Sequence, residues 1–360
     1  MMLYNKDSMK TDTTGMNDSL FMARLYGQER LKKEWFRLLA DGRLPHTMIF
    51  YGDEGLGKTT AALSLAEALM GEKDAVWKEA DLWFSDPTAV KDVPVLTAAD
   101  DRLWYLRPLG MELKMEQFRT FLDAMASFDD ARRVCIIDEA QTMMDPVANA
   151  ILKTLEEPGP AVYFILITHD VDALLPTIIS RAARFAFSSL SEKDYMACLR
   201  DHKKDFPFAS DEERKEAFLL SEGNPGLTKD MFADGDMPQP ESAMDFWSVL
   251  TRSRTPFSDL TPKVPQDRKA FLKMLQWITL VGRDLLVLSA TGKDDYVRCR
   301  KVGEQEKELA PSWTADQADR ALEVLEAAEN ACRRYISVKN IWDMVLIRLL
   351  RIQRDDIWNK

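Results

Sequence analysis

One stretch limits this chain more than any other. The largely apolar run Thr47-Met48-Ile49-Phe50-Tyr51 leads directly into Gly52-Asp53-Glu54-Gly55-Leu56-Gly57-Lys58-Thr59, and a helical apolar pattern follows from Thr59 to Met70. The pattern G-x-x-x-x-G-K-[ST] at a strand-to-helix junction is a phosphate-binding loop. Gly52, Gly55 and Gly57 let the backbone turn its N–H groups towards phosphate oxygens. The helix N-terminus adds a favourable dipole, Lys58 supplies a point charge, and the Thr59 hydroxyl can hold Mg²⁺, with Thr60 next to it on the helix. A bare glycine-rich turn is the alternative, and the junction argues against it.

A second element of phosphate chemistry lies about 80 residues on. The apolar run Arg133-Val134-Cys135-Ile136-Ile137 ends in Asp138-Glu139-Ala140-Gln141, a Walker B pattern. Adjacent carboxylates at a strand end suit two tasks: Asp138 would bind Mg²⁺ through its water shell, and Glu139 would polarise the attacking water. A third strand candidate, Ala161–Ile167, ends in Thr168-His169-Asp170. In AAA+ ATPases a polar residue at that point senses the γ-phosphate, which makes Thr168 the candidate here, with a turn or cap residue as the alternative. His169 has no cysteine or second histidine near it, so a metal role is not expected.

Alternation of short apolar runs with amphipathic segments (Gln28–Ala40, Thr59–Met70, Met115–Met125, Val147–Leu155) predicts a parallel α/β sheet flanked by helices over residues 21–190. Ser188 to Ser191 offer helix caps. Short amphipathic pieces at Glu192–Lys204 and Asp211–Ser221 then predict a small helical domain over 191–235. Pro238, Pro240, Pro256, Pro262 and Pro265 predict a connection over 236–265 with at most one helix, around Ser242 to Thr251. Beyond it Phe271, Leu275, Ile278 and Leu285, then Ala321, Leu325, Ala328 and Cys332, then Ile341, Val345 and Leu349 recur at helical spacing and predict an all-α bundle over 266–360. Its apolar faces suit either partner subunits or an ordinary monomeric core. Residues 1–20 lack apolar periodicity and read as a flexible leader.

Composition excludes several classes. With 48 Lys+Arg against 59 Asp+Glu the net charge is −11, which does not suit a general nucleic-acid glue. Cys135, Cys198, Cys299 and Cys332 stand apart, as neither a zinc ribbon nor a disulfide framework, and read as reduced core thiols of a cytoplasmic protein. No stretch reaches the roughly 18 to 20 apolar residues of a membrane span.

Several phrases together resemble one family, the clamp-loader subunits of bacterial DNA polymerase III, and within it the delta-prime branch. They are Tyr26-Gly27-Gln28-Glu29 with Arg43-Leu44-Pro45-His46, the run Asn149-Ala150-Ile151-Leu152-Lys153-Thr154-Leu155-Glu156-Glu157-Pro158, and Leu174-Leu175-Pro176-Thr177-Ile178-Ile179-Ser180-Arg181. The resemblance runs from Tyr26 to about Leu190. The last phrase is similar to the family's Ser-Arg-Cys motif with Ala182 in place of the cysteine, and it implies that Arg181 is an arginine finger acting in trans on a neighbour's ATP. It implies an α/β P-loop AAA+ module followed by a small helical lid and an all-α C-terminal collar, with ATP and Mg²⁺ as cofactors. It further implies other loader subunits (delta, gamma/tau), a sliding clamp and primed DNA as partners. Many relatives carry four zinc-binding cysteines between the two phosphate elements. Residues 60–134 hold no cysteine, so no zinc is expected. Where motor subunits of the family have a sensor-2 arginine this chain has Gly226, which implies weak or absent hydrolysis of its own and counts against the gamma/tau motor reading. A helicase, prompted by the likeness of Asp138 to Gln141 to a DEAx box, would need a second set of strands beyond Leu190. A protein-remodelling AAA+ ATPase is disfavoured by the Asn149 to Pro158 phrase and by Ser180-Arg181.

Overall fold

The computed structural model describes residues 22–71, 75–85, 95–108, 110, 112–125, 131–156, 161–206, 208–232, 240–252, 264–300, 302–333 and 336–358. The expected leader at 1–20 lies outside them. By contact density the chain divides into two compact units, one formed by residues 1–201 with 223–226, the other by 202–222 with 227–360.

The first unit is built on six strands: β1 (Thr47–Tyr51), β2 (Val95–Ala98), β3 (Leu103–Leu106), β4 (Arg133–Ile137), β5 (Val162–Thr168) and β6 (Ala183–Ala186). Their order is β2-β3-β4-β5-β1-β6, and all neighbours are parallel except β2 with β3. Successive side chains of a strand point to opposite faces, so a sheet covered on both sides needs apolar residues at both parities. That is why the central strands read as unbroken apolar runs. Met48, Phe50, Val134, Ile136, Ile165 and Ile167 enter one core, while Ile49, Cys135, Ile137, Phe164 and Leu166 enter the other. The first core takes α1 (Glu29–Ala40), α2 (Lys58–Met70) and α3 (Ala75–Ser85), with Trp35 stacked on Phe50 at 4.9 Å. The second takes α4 (Met115–Met125) and α5 (Asp145–Glu156). Three strands, β2, β3 and β6, and helix α3 are additions to the elements anticipated from sequence. A helical turn, α6 (Pro176–Ile179), precedes β6, and α7 (Glu192–Asp201) closes the main segment of this unit. The Ser191 hydroxyl accepts the Asp194 N–H at the start of α7.

The second unit is helical: α8 (Asp211–Ser221), most of α9 (Pro225–Phe232), α10 (Pro240–Thr251), α11 (Arg268–Thr291), α12 (Gly303–Leu309), α13 (Ala315–Arg333) and α14 (Val338–Trp358). Local chemistry sets its helix ends. Ser210 and Glu213 form a reciprocal capping box on α8, Asp267 accepts the Ala270 N–H to start α11, and Gly292 ends α11 in the left-handed region. Of the proline-rich 236–265 stretch, residues 240–252 and 264–265 are described, and the former hold α10, which packs into the bundle. Trp247 is fully buried, donates its indole N–H to the Ile278 carbonyl at 2.9 Å and meets Trp313 edge-on at 4.9 Å. Gly282 on α11 lies beneath that indole: a Cβ there would sit 2.5 Å from Trp247 Cζ2. The ring is pinned by its hydrogen bond and cannot slide away. Gly282→Ala is therefore expected to destabilise this unit by about 1–3 kcal/mol through overpacking, read as a lower denaturation midpoint. An unchanged midpoint would show that the bundle yields there.

All four cysteines are buried free thiols. Among the described residues no helix is long and apolar enough to cross a membrane.

Candidate nucleotide site

Strand order decides what can meet at the sheet's carboxyl edge. β5 lies between β1 and β4, so the loop leaving β1, the residue ending β5 and the acidic pair leaving β4 emerge side by side. The connection leaving β1 runs towards β2 while the one leaving β5 runs the other way to β6, and such a switch point opens the crevice where α/β sheets take ligands.

The loop from Gly52 to Gly57 turns through left-handed backbone at Gly52 (φ 133°), Gly55 (φ 86°) and Gly57 (φ 86°). Gly52 is also fixed by crowding, because a Cβ would lie 2.6 Å from the Phe187 carbonyl oxygen. α2 begins at Lys58, with Thr59 and Thr60 in its first turn. The Lys58 side chain is buried and its ammonium donates to the carbonyl oxygens of Gly52 (2.6 Å) and Asp53 (2.5 Å), which curls the charge into the loop. Burial draws its pKa down, while Asp138, Glu54 and Asp53 oppose that shift.

Asp138 sits just past β4. Its Oδ2 accepts from the Tyr105 hydroxyl and, at 3.5 Å, from the Thr59 hydroxyl; its Oδ1 accepts the Glu139 N–H at 2.9 Å. Burial pushes the carboxyl up, and the Tyr105 and Glu139 hydrogen bonds and the Lys58 charge pull it back. Tyr105 in turn is pushed far up, by burial first and by Asp138 second, so it stays a donor. Glu139 is exposed and holds a left-handed φ of 49°, uncommon for a residue with a side chain and a frequent mark of working sites. Thr168 is the last residue of β5, paired with Tyr51, and fully buried. Its hydroxyl lies 2.8 Å from both the Gln141 side-chain oxygen and the Asp170 carbonyl. One hydroxyl hydrogen cannot serve two acceptors. The network is satisfied when Thr168 donates to Asp170 and the Gln141 amide is turned to donate to Thr168.

Thus the structure gathers Gly52, Gly55, Gly57, Lys58, Thr59, Thr60, Asp138, Glu139 and Thr168 at one edge. It places Arg181 elsewhere, exposed after α6, where its guanidinium donates to the Thr177 carbonyl at 3.0 Å and approaches the Ser180 hydroxyl at 3.4 Å.

Three residues that sequence reasoning missed also belong here. Tyr105 comes from β3, and Gln141 from the turn after the acidic pair. Asn224, largely buried, donates its side-chain amide to the Glu54 carbonyl at 2.8 Å, and the Gly226 N–H reaches the Gly55 carbonyl at 3.2 Å. A Cβ on Gly55 would lie 2.6 Å from the Gly226 α-carbon, so the two backbones touch. For Tyr105 a signal existed: the run Leu103 to Leu106 is apolar between charged neighbours, as a short buried strand would be. Asn224 lies in the run Glu222 to Thr228, whose resemblance to the family's sensor-2 region pointed to the segment but not to this side chain.

A bound nucleotide would find backbone N–H groups, a helix N-terminus, one ammonium and a threonine–aspartate pair, a set that fits a phosphate chain with its Mg²⁺. Among the described residues no group of three or more His, Cys, Asp or Glu side chains could hold a metal by itself.

Residues 27–191 match the family described as "DNA polymerase III, delta subunit". Among curated proteins, the chain is 27% identical over 169 residues to replication factor C subunit 3 of Saccharomyces cerevisiae, covering 47% of this chain and 43% of that protein. It is 30% identical over 182 residues to DNA polymerase III subunit gamma of Buchnera aphidicola, covering 49% of this chain and 47% of the relative. The match spans half or less of the length of each of these relatives. A solved structure of a DNA polymerase III gamma subunit-related protein from Thermotoga maritima is 17% identical, with 91% of this chain and 98% of that one covered, at a TM-score of 0.41.

Proposed function

From the clamp-loader AAA+ likeness of residues 27–191, we propose that this chain is a delta-prime-type subunit of a DNA polymerase III clamp loader. In this role it binds ATP weakly or as a static ligand, turns it over slowly or not at all, and acts mainly on its neighbours. The domain division goes with the role: a nucleotide-binding module over 21–190, a lid over 191–235, a linker over 236–265 and a collar over 266–360 that holds other loader subunits. Partners are delta and gamma/tau subunits, and through them a sliding clamp and primed DNA in the cytoplasm.

The observation that carries this reading is Gly226 against Gly55. The phosphate loop has its full set of groups, yet the residue nearest its turn from the 223–226 segment has no side chain to bring charge to a γ-phosphate. Binding residues are present, and one stabiliser of the transition state is missing. Lys58 and the loop N–H groups would hold the phosphates, and Thr59 with Asp138 would hold Mg²⁺. Mg²⁺ bound there neutralises charge on the β- and γ-phosphate oxygens. Glu139 would then orient water, Thr168 would contact the γ-phosphate, and Arg181 would complete an adjacent subunit's site.

A titration of the purified chain with a fluorescent ATP analogue and Mg²⁺ tests this. Lys58→Ala removes charge-assisted contacts worth about 3 kcal/mol, so affinity is expected to fall about a hundredfold. If the wild-type chain binds no nucleotide, the phosphate-loop part of the proposal fails. A gamma/tau-type motor is the second reading, favoured by the complete Lys58-Thr59 and Asp138-Glu139 pairs. Steady-state ATP hydrolysis by the isolated chain at rates of about 1 s⁻¹ or above would establish it over the first.

A further inference from the structure

Asp138 is held more tightly than its place at a strand end requires. β3 and β4 are parallel with Tyr105 opposite Ile136. Ile136 and Asp138 share a face because they are two residues apart, so the Tyr105 ring stands on that face and reaches diagonally along it to the carboxylate. The ring itself has little freedom. Tyr105 is 3% exposed, with Trp83 at 5.9 Å and Phe84 edge-on at 6.1 Å, both from α3. A carboxylate offers about four acceptor positions. Two on Oδ2 face the Tyr105 and Thr59 hydroxyls and one on Oδ1 faces the Glu139 N–H, which leaves one on Oδ1.

We propose that Tyr105 is a positioning residue, which fixes the Asp138 carboxylate so that its remaining Oδ1 position serves the hydrated Mg²⁺ of a nucleotide in the phosphate loop. The inference rests on the nucleotide-binding reading above. Two features separate it from ordinary core packing. The phenol hydroxyl makes its hydrogen bond to the acid that the site uses, and the same oxygen atom receives Thr59, the other Mg²⁺-holding residue. Without the phenol, Oδ2 keeps only the long Thr59 contact, and the Glu139 N–H on Oδ1 is left to resist rotation of the carboxylate about its χ2 bond. A phenylalanine retains the ring between Trp83 and Phe84, so the fold is kept and only the orienting bond goes. Partners that orient a metal-holding group commonly change metal dependence by about 10–100-fold when removed.

The experiment is a Mg²⁺ titration of fluorescent ATP-analogue binding in four full-length proteins: wild type, Tyr105→Phe, Asp138→Asn and the double variant. Tyr105→Phe is expected to raise the Mg²⁺ concentration for half-maximal effect about tenfold and to leave affinity in EDTA unchanged. In the Asp138→Asn background it is expected to do nothing further, since the pair acts as one unit. An unchanged Mg²⁺ midpoint in Tyr105→Phe overturns the proposal. So does an equal shift in the Asp138→Asn background, which would mean that the ring acts through packing. Wild-type protein that binds the analogue neither with Mg²⁺ nor in EDTA overturns the nucleotide reading and this one with it. Wild-type binding with an unaltered Tyr105→Phe profile overturns this one alone.

Discussion

Glu306→Gln should stabilise the helical unit by about 3 kcal/mol at pH 7 and flatten its dependence on pH. Glu306 on α12 is fully buried, and neither carboxyl oxygen has a hydrogen-bond partner among the described residues. Burial, and secondarily the Asp284 charge, push its pKa from 4.5 to about 9. Asp284 makes no hydrogen bond to it, and its oxygens accept from Arg283 and from the backbone N–H groups of Arg298 and Cys299. The sign follows from proton counting. Below about pH 4.5 folded and unfolded chains both hold the proton; between 4.5 and 9 only the folded chain does, so stability falls as pH rises across that window and levels off above it. Each pH unit is worth at most about 1.4 kcal/mol, and about 2.5 units separate 4.5 from neutrality. A glutamine has nearly the same shape and no proton to lose. Its amide is as unpartnered as the protonated acid, so the desolvation costs nearly cancel. Denaturant melts at pH 5, 7 and 9 decide the matter. Wild type should weaken steadily while the variant holds level, and parallel curves would mean that Glu306 is ionised by some route to solvent.

Arg181→Ala is expected to leave the chain folded and able to assemble but to lower ATP turnover of a reconstituted loader at least about a hundredfold. Where arginine fingers have been removed or supplied in GTPases, the effect is about 10³ to 10⁵. Several features of the structure favour a clean result. The side chain is exposed, and its guanidinium donates to the Thr177 carbonyl and approaches the Ser180 hydroxyl. Surface substitutions of that kind shift stability by only about 0.5 kcal/mol. Arg181→Lys should rescue poorly, because an ammonium cannot make the bidentate contact of a guanidinium. This chain's own affinity for an ATP analogue should not move. Full DNA-stimulated turnover by the mutant assembly would end the finger assignment.

How much of this could be read in the sequence depended on distance along the chain. The phosphate loop is contiguous, and its neighbouring strand and helix carry periodicities that survive without tertiary context, so β1, the loop and α2 were legible together. β4 with Asp138 and β5 with Thr168 were legible for the same reason, each being an apolar run with a polar end. Short strands were not. β6 alternates exposed and buried residues over only four positions, and β2 is an edge strand of four. The helix expected around Ser242 to Thr251 within the proline-rich stretch is present as α10, and it begins at Pro240, where a missing N–H breaks no helical bond. Its burial was less legible: Trp247 is fully buried in the bundle. The contacts that finish the site join positions far apart. Tyr105 meets Asp138 across 33 residues and Asn224 meets Glu54 across 170, and no periodicity encodes either.

The contact between Gly55 and Gly226 also limits how such a chain can change over generations. Any side chain at 226, including one long enough to touch a phosphate, must first lift the 223–226 segment from the loop, and any side chain at 55 meets the same obstacle from the other side. Both obstacles are backbone atoms, so neither clash is relieved by changing the other residue. A basic side chain at 226 could therefore be accommodated only together with a shift of that segment away from the loop.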